Sequence, residues 1–176
     1  MKKVFLIMLV AAFGVMTASA QFKLGVNVGI QSPTEKDAKL GYGGGISGEY
    51  LVTPNIGVGV NLGYYIFGKE GIDDFSVTPY MIPVTLTGKY YFIPEGDIKA
   101  YGGLDLGYYT IGAKTKIAGI SASASDGFFG VAPIVGLQFS FTNTLALDVN
   151  TKYSHIFSDG SSTGFIGINV GLVYSF

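Results

Sequence analysis

The sequence predicts an all-β fold, an eight-stranded antiparallel up-and-down transmembrane β-barrel. Three observations predict it. After residue 20 no run of 18 apolar residues occurs, so the sequence predicts no transmembrane helix. Instead, eight segments alternate apolar residues with polar or small ones, which is the side-chain period of a β-strand. Short and long connections between these segments alternate strictly, as expected for antiparallel neighbours with one set of loops on each side.

The composition fits a folded chain and excludes several function classes. Of 176 residues, 48% are hydrophobic, 13% are charged and 27 are glycine, and there is no cysteine. Disordered chains are usually charged and poor in aromatic residues, unlike this one. The lack of cysteine excludes a disulfide scaffold, a thiolate zinc site, a cysteine nucleophile and a lipid attached to cysteine. A pI near 5.7 without a basic run argues against nucleic acid as a partner.

The first twenty residues have the three parts of a secretory signal peptide. Met1-Lys2-Lys3 is the positive start, Val4–Val15 is the apolar core, and Ala18-Ser19-Ala20 is the cleavage motif. The apolar core is too short to span a membrane as a helix. We therefore expect residues 1–20 to be cleaved and residues 21–176 to form the barrel domain outside the cytoplasm.

The eight predicted strands follow one another along the mature chain. They are Phe22–Ser32, Gly41–Val52, Ile56–Phe67, Pro79–Phe92, Ile98–Thr110, Gly127–Phe141, Leu145–Phe157 and Phe165–Phe176. Glycine is frequent inside these segments and lowers their β-propensity, so the prediction depends on eight alternating segments in succession.

One face of each predicted strand is apolar. In the first four strands these faces are Phe22, Leu24, Val26, Val28 and Ile30, then Tyr42, Ile46, Tyr50 and Val52, then Ile56, Val58, Val60, Leu62, Tyr64 and Ile66, then Tyr80, Ile82, Val84, Leu86, Tyr90 and Phe92. In the last four they are Ile98, Ala100, Leu104, Leu106 and Tyr108, then Phe129, Val131, Val135, Leu137, Phe139 and Phe141, then Leu145, Leu147, Val149, Tyr153 and Phe157, then Ile166, Ile168, Val170, Leu172, Tyr174 and Phe176.

The connections between the predicted strands fall into two sets. The short turns are Thr53–Asn55, Ile93–Asp97 and Thr142–Thr144, and the long loops are Pro33–Leu40, Gly68–Thr78, Ile111–Asp126 and Ser158–Gly164. The long loops hold most of the remaining charges. This division is typical of membrane barrels, which have short turns at one end and longer loops at the other.

Two architectures are compatible with the alternation, and they differ in which face meets water. A soluble secreted barrel or sandwich would expose the polar face, which carries only seven charges over eight strands. A membrane barrel would turn the apolar face to lipid and the small polar face into a narrow lumen. Aromatic residues also collect at both ends of the predicted strands, as membrane barrels require. The membrane barrel is favoured.

Pro83 and Pro133 fit this architecture least well. Each lacks the N–H that a ladder uses, and a closed barrel has no edge to accommodate proline. We expect both to lie at bulges or near the long-loop rim.

Several motifs resemble those of the small outer-membrane β-barrel proteins of Gram-negative bacteria, the OmpA/OmpX-like porin-family group. They are the signal peptide, the segments Ile82–Phe92 and Val131–Phe139, and the closing strand that ends in Val173-Tyr174-Ser175-Phe176. The resemblance covers the whole mature chain. It implies an outer-membrane location with periplasmic termini and surface-exposed long loops, and insertion by the barrel assembly machinery, which reads a terminal aromatic. It implies no single function.

The candidate site is a polar network in the lumen. Seven charged residues lie on the predicted inner face: Lys23, Glu49, Lys89, Lys99, Asp105, Asp148 and Lys152. Buried charges must pair, and counting residues from the short turns predicts the pairs Glu49–Lys89 and Asp105–Lys152. Two interpretations stay open, a structural plug and a gate for small ions. Tyr65, Tyr91, Tyr101 and Tyr109 also point inward and narrow the lumen.

No catalytic, cofactor or metal site is predicted. His155 is the only histidine, and parity places it on the lipid face. Its segment faintly resembles the lipid A deacylases, but the serine at 158 has the wrong parity, so base and nucleophile would point to opposite sides of the wall. Glu70, Asp73 and Asp74 lack the ligand spacing of a calcium loop. Five loop lysines could meet lipopolysaccharide phosphates: Lys36, Lys39, Lys69, Lys114 and Lys116.

The sequence thus favours a non-enzymatic barrel that supports envelope integrity or surface interaction through its loops. A narrow passive channel is the alternative, and a lipid-modifying enzyme is the least favoured class. The expected partners are outer-membrane lipid, lipopolysaccharide and the assembly machinery, and the expected state is a monomer.

Overall fold

A computed structural model describes residues 22–36, 38–72, 75–117, 120–158 and 161–176 of the chain. Its nine strands are β1 (Phe22–Pro33), β2 (Gly41–Thr53), β3 (Ile56–Phe67), β4 (Glu70–Ile72), β5 (Phe75–Tyr91), β6 (Ile98–Ile117), β7 (Ile120–Ser140), β8 (Leu145–Ser158) and β9 (Ser161–Ser175). Within these ranges no helix has the length and apolar character needed to cross a membrane. The predicted signal peptide, residues 1–20, lies outside the described residues.

Eight of the strands close into an antiparallel barrel. The sheet order is β3-β2-β1-β9-β8-β7-β6-β5-β4, and an additional pairing of β3 with β5 closes the ring. The closure joins β1 to β9 as well, with Lys23 opposite Ser175 and Pro33 opposite Phe165. The short strand β4 pairs with the first residues of β5 and is an appendage of the barrel. The predicted eight-stranded up-and-down barrel is confirmed.

Burial alternates along the strands as the sequence predicted, with the apolar face outward. Val28 and Leu86 are 68% and 66% exposed, whereas Asp105 and Tyr109 are completely buried. A protein with this pattern has its apolar side chains on the outer wall and its polar side chains inside. Such a wall is stable only where the surroundings are apolar, so the burial pattern is that of a barrel in lipid.

Three of the four predicted long loops are largely strand, which corrects the sequence prediction. The segment Ile111–Asp126 belongs to a hairpin in which β6 and β7 stay paired from Ile98↔Phe139 to Ile117↔Ile120. The second loop contains β4 and the start of β5, and β8 and β9 pair up to Ser158↔Ser161. In the β7 extension, residues 122–126 are exposed on both faces, so this segment lacks the apolar alternation on which the prediction depended.

The two prolines lie within strands that keep their register, so the bulge prediction is wrong. The β3–β5 ladder is described at Leu62↔Val84 and again at Tyr65↔Met81, with the same register on both sides of Pro83. The β7–β8 ladder likewise has no described pairs between Val131↔His155 and Ile134↔Lys152, around Pro133. Each proline also lies well inside its strand and away from the rim. The missing donor therefore leaves a local gap in one ladder, while the opposite ladder continues through both prolines.

The short turns lie where the sequence predicted them, between β2 and β3, β5 and β6, and β7 and β8. In the second of these, Gly96 has a φ of 92°. Only glycine adopts this conformation without steric cost, which explains its place in the turn.

Candidate functional site in the barrel lumen

The lumen is filled by inward side chains in three groups along the barrel axis. A charged group lies near the short turns, a second polar group lies at mid-height, and an apolar group lies toward the long loops. We call these the lower cluster, the middle cluster and the upper cluster.

The lower cluster is centred on Glu49. Its Oε2 accepts a hydrogen bond of 2.6 Å from Lys89 Nζ, and its Oε1 accepts one of 2.5 Å from the Tyr91 hydroxyl. Lys23 Nζ lies 3.6 Å from Glu49 Oε1 and donates to the Tyr91 hydroxyl at 3.1 Å. Glu49 and Lys23 are almost fully buried. The carboxylate thus has two cations and one hydroxyl around it, which compensates for its removal from water.

Asp148 forms the other half of the lower cluster and pairs with neutral donors. The Tyr101 hydroxyl lies 3.0 Å and 3.1 Å from its two oxygens. Gln138 Nε2 donates to Oδ2 at 3.0 Å, and Asn150 Nδ2 donates to Oδ1 at 2.6 Å. Gln138 also accepts a hydrogen bond from Lys23 at 3.3 Å, so the two halves form one network.

Two tyrosine rings support the lower cluster from within. The Tyr91 and Tyr101 ring centroids are 5.5 Å apart. Lys23 Nζ lies 4.4 Å from the Tyr91 centroid, and Lys89 Nζ lies 4.7 Å from the Tyr101 centroid. These cation–π contacts hold both lysines against the aromatic faces and reduce their freedom to leave the network. Ile134 packs against the two rings and forms a buried cluster with them.

The middle cluster is centred on Asp105, which is completely buried. Its Oδ1 accepts hydrogen bonds from Thr87 at 2.5 Å and from Asn61 at 3.3 Å. Lys152 Nζ lies 3.7 Å from its Oδ2. Beyond this ion pair, Oδ2 has no hydrogen bond from any described residue.

The upper cluster is apolar and closes the lumen toward the long loops. It consists of six buried residues: Tyr65, Phe67, Met81, Tyr109, Ile156 and Phe165. The Phe67 and Phe165 ring centroids are 5.7 Å apart. A hydrogen-bonded chain connects this cluster to the lower one, running from Tyr65 through Asn169 and Asn150 to Asp148.

Between the upper and lower clusters lies a cavity of about 70 Å³. Its lining includes Asp105, Lys89, Lys152, Asn61 and Tyr101. The volume is enough for a few water molecules, and the polar lining suits them. Buried side chains therefore occupy the lumen above and below a small polar cavity.

Both ion pairs predicted by counting residues are present, Glu49 with Lys89 and Asp105 with Lys152. Lys23 is a second cation beside Glu49, and counting residues from the short turns did not predict this contact. Asp148 makes no ion pair among the described residues, and neither does Lys99, which is half-buried at the short-turn mouth. Sequence reasoning did not identify four hydrogen-bond partners of the carboxylates: Gln138, Asn150, Asn61 and Thr87. The alternation along their strands had already placed each of them on the inner face.

Glycines on the inner face leave space for these side chains. A Cβ on Gly57 would lie 2.7 Å from Glu49 Oε1. A Cβ on Gly136 would lie 2.5 Å from both Cζ and the hydroxyl oxygen of Tyr101. The high glycine content of the chain thus has a steric cause, because an eight-stranded barrel has just enough room for its own side chains.

The remaining sequence candidates lie away from the lumen. His155 is on the outer face, with its ring 4.8 Å from that of Phe157, while its neighbour Ser154 is buried inside. Lys114 is exposed, with Nζ 3.5 Å from the Tyr64 hydroxyl, and Lys39 donates to the Lys69 carbonyl. The metal candidates Asp73 and Asp74 lie outside the described residues.

A family model for the outer membrane protein beta-barrel domain matches residues 5–176. The chain belongs to this family. A Rickettsia bellii protein provisionally named an outer membrane protein is 28% identical over 138 residues, which cover 70% of this chain and 54% of that protein. The chain thus spans about half the length of this relative. Membership of this family establishes that the chain is an outer membrane β-barrel protein.

Solved structures with the same fold include two that cover most of this chain. Ail, the attachment invasion locus protein of Yersinia pestis, has a TM-score of 0.66 at 20% identity, covering 90% of this chain and all of that chain. Neisserial surface protein A has a TM-score of 0.68 at 16% identity, covering 88% and 97% of the two chains. At these identities the likeness shows the fold of this outer membrane barrel and nothing more.

Proposed function

We propose that this outer membrane barrel is a non-conducting, non-enzymatic protein that supports the envelope and presents its long-loop hairpins for surface interaction. One observation carries the proposal: buried side chains pack together inside the lumen toward both ends, as the upper and lower clusters. A barrel that transported solutes would need a continuous polar passage, whereas this one has an apolar upper cluster and a lower cluster whose charged groups are held by ion pairs and hydrogen bonds.

The charge distribution in the lumen supports the plug interpretation. Each inward carboxylate has its own compensating partners: Glu49 has Lys89 and Lys23, Asp105 has Lys152, and Asp148 accepts hydrogen bonds from Tyr101, Gln138 and Asn150. The carboxylates therefore need no bound cation, and the fourth inward lysine, Lys99, lies half-buried at the short-turn mouth. The alternative, a gate for small ions, requires the Glu49–Lys89 pair to open. The contacts of both groups with Tyr91 and Tyr101 oppose such opening.

The geometry around His155 supports a non-enzymatic role. A deacylase-like mechanism needs the histidine and a serine on one face of the wall. His155 instead lies on the outer face between aromatic rings, and the adjacent Ser154 is buried inside.

The proposal includes the surroundings of the barrel. Its termini and short turns face the periplasm, and its long hairpins face outward. Outer-membrane lipid and lipopolysaccharide contact the apolar wall, with exposed Lys114 placed beside Tyr64 and Tyr80 near the long-loop end. Ail has been solved with the heparin analogue sucrose octasulfate, which makes sulfated polysaccharide a reasonable first ligand to assay. Insertion uses the barrel assembly machinery, and the barrel is a monomer.

Single-channel recording tests the proposal. The refolded protein is placed in a planar bilayer, and we expect no steady conductance. The matched variant Lys89→Ala removes a charged partner in the plug, and we expect it to lose stability without opening a pore. A large, steady conductance in the wild type would assign the protein to the channels. A conductance that appears only in Lys89→Ala would establish the gate.

A further inference from the structure

A second cavity lies in the mouth of the barrel at the long-loop end, above the upper cluster. Its volume is about 170 Å³, and inward positions of five strands line it: Pro33 of β1, Phe67 of β3, Pro79 of β5, Ile111 of β6 and Phe165 of β9. Each of these residues lies two positions from a buried residue on the inner face of its own strand, so the alternation directs its side chain inward. We call this space the mouth cavity.

The mouth cavity has an aromatic floor. Phe67 and Phe165 are 7% and 6% exposed, and their ring centroids are 5.7 Å apart at an interplanar angle of 50°. Both rings belong to the upper cluster, which also contains Met81, and Ile111 packs against that cluster. A ligand that enters from the long-loop side meets these rings, so the cavity has no depth for a long acyl chain.

The five inward residues of the lining offer no hydrogen-bonding side chain. Proline, phenylalanine and isoleucine side chains carry neither a donor nor an acceptor, and Pro33 and Pro79 also lack the backbone N–H. A polar or charged group held among them would lose its contacts with water without compensation. The interior of the mouth cavity therefore favours an apolar group.

The rim of the mouth cavity carries one charge of each sign and one hydroxyl. Glu35 and Lys39 both line the cavity and are both exposed, and Thr163 supplies a half-buried hydroxyl. Lys39 lies over Gly68, where an added Cβ would be 2.7 Å from Lys39 Cδ, and its Nζ donates a hydrogen bond to the Lys69 carbonyl. The ammonium is thus already engaged by the loop backbone, and the two opposite charges give the rim no preference for an anion or a cation.

The volume and the lining together fit a single ring. An apolar cavity of about 150 Å³ lined by leucine, isoleucine and phenylalanine binds benzene. The mouth cavity is of similar size, and its two phenylalanine rings can make offset or edge-to-face contacts with an aromatic ligand. A ring bound there would also remove apolar surface from water at the open end of the barrel, which provides the driving force.

We propose that the mouth cavity binds a small uncharged molecule that has one apolar ring and one hydroxyl group. The ring contacts Phe67, Phe165 and Ile111, and the hydroxyl group lies at the rim beside Thr163. The inference goes beyond the proposed function and does not depend on it, because the ligand is held above the side chains that fill the lumen.

Methyl NMR tests the proposal on the full mature chain in lipid nanodiscs, with benzyl alcohol as the probe. Titration should shift the methyl signals of Ile111 and Thr163 to saturation, and the ring protons should give nuclear Overhauser effects to Ile111. The methyl groups of Val60 and Leu86 on the outer wall report on probe that dissolves in the lipid. Ile111 shifts that do not saturate, or that follow those of Val60 and Leu86, would overturn the proposal.

Two variants fill the mouth cavity from different sides. Ala38 lines it from an exposed loop, so Ala38→Phe adds a ring there while the barrel should keep its folded gel mobility. Ile111→Trp fills the same space from the barrel wall. We expect each variant to weaken the binding of benzyl alcohol about tenfold or more. Unchanged affinity in both would overturn the proposal.

The matched control is Lys36→Phe, which adds the same ring to the same loop. Lys36 is exposed and is not among the residues that line the mouth cavity. This variant should bind benzyl alcohol as the wild type does. A loss of affinity equal to that of Ala38→Phe would show that the loop surface, and not the cavity, holds the probe.

Changes to the probe test the chemistry of the ligand. A naphthylmethanol adds a second ring, and benzylamine and benzoate add a charge. We expect each of them to bind about tenfold more weakly than benzyl alcohol or worse, because the floor ends at Phe67 and Phe165 and the interior has no partner for a charge. Equal or tighter binding of the two-ring alcohol would refute the assigned size, and equal or tighter binding of either ion would refute the uncharged class. None of these measurements involves conductance, so this proposal can fail while the non-conducting barrel of the proposed function stands.

Discussion

Glu49, Lys89 and Tyr91 show how alternation along the strands determines the interior. Each has the inward parity of its strand, so closure of the barrel brings them together from β2 and β5. Burial removes them from water, and only hydrogen bonds and opposite charges compensate for that loss. The consequence is a network in which removal of one member leaves another unpaired.

Replacing Lys89 by alanine should leave Glu49 with Lys23 at 3.6 Å as its remaining cation. We expect the free energy of unfolding to fall by about 3 kcal/mol, the lower end for a broken buried pair, because the polar cavity borders Lys89. Urea unfolding of the protein in lipid vesicles measures the change. Lys99→Ala is the matched control, because Lys99 is half-buried at the mouth and should change stability little. Equal losses in the two variants would contradict the assigned network.

Replacing Gly136 by alanine should displace the Tyr101 ring, because the new Cβ would lie 2.5 Å from its Cζ and hydroxyl oxygen. We expect a loss of about 1–3 kcal/mol, as for other overpacked interiors. The matched control is Gly88→Ala on the outer face, where a Cβ would meet nothing within 4 Å. That change should be neutral or stabilise by up to about 1 kcal/mol. The urea midpoints of the two variants should therefore move apart, and midpoints that shift together would refute the steric assignment.

At the scale of the strand, the cost of a charged substitution on the outer face depends on its depth in the membrane. Outward residues of one strand pass from one interface through the apolar centre to the other, so the same substitution has different costs along the barrel. Val60 of β3 and Val52 of β2 both point outward, at 56% and 53% exposure, but Val52 lies one residue from a short turn.

We expect Val60→Lys to destabilise the barrel by about 2–4 kcal/mol and Val52→Lys by about 0–1 kcal/mol. The physical reason is that a lysine at mid-depth has no water within reach, whereas one near the turn extends to the interface. Folding yield and urea stability in vesicles measure both variants. If the two valines tolerate lysine equally well, the outer wall does not face lipid.

At the scale of the whole molecule, the barrel has two unlike ends. The short-turn end is closed by the lower cluster, and the long-loop end carries the upper cluster and the extended β6–β7 hairpin. An outer membrane barrel that works through its surface must place the second end outside the cell, so the orientation decides which residues a partner can meet.

Cysteine labelling in intact Gram-negative cells measures this orientation, and the chain suits it because it contains no cysteine of its own. Ser123→Cys in the extended hairpin should react with a membrane-impermeant maleimide in intact cells. Asn143→Cys in the turn between β7 and β8 is the control, and it should react only after the outer membrane is permeabilised. The reverse pattern would place the short turns outside and invalidate the proposed surface role.

The amino-acid sequence alone determined the number of barrel strands, their parity and their short turns, because lipid and lumen impose opposite polarity on alternate residues. It also determined two ion pairs, since Glu49–Lys89 and Asp105–Lys152 follow from parity and distance to the turns. The length of the β6–β7 hairpin was not predictable, because residues 122–126 of β7 are exposed on both faces and lack the apolar alternation. Only the tertiary structure decided that Lys23 is the second cation at Glu49, that Tyr101 and Gln138 compensate Asp148, and that Pro83 leaves a gap in one ladder while the register is kept. These depend on the stagger of neighbouring strands around a closed ring, which no single strand encodes.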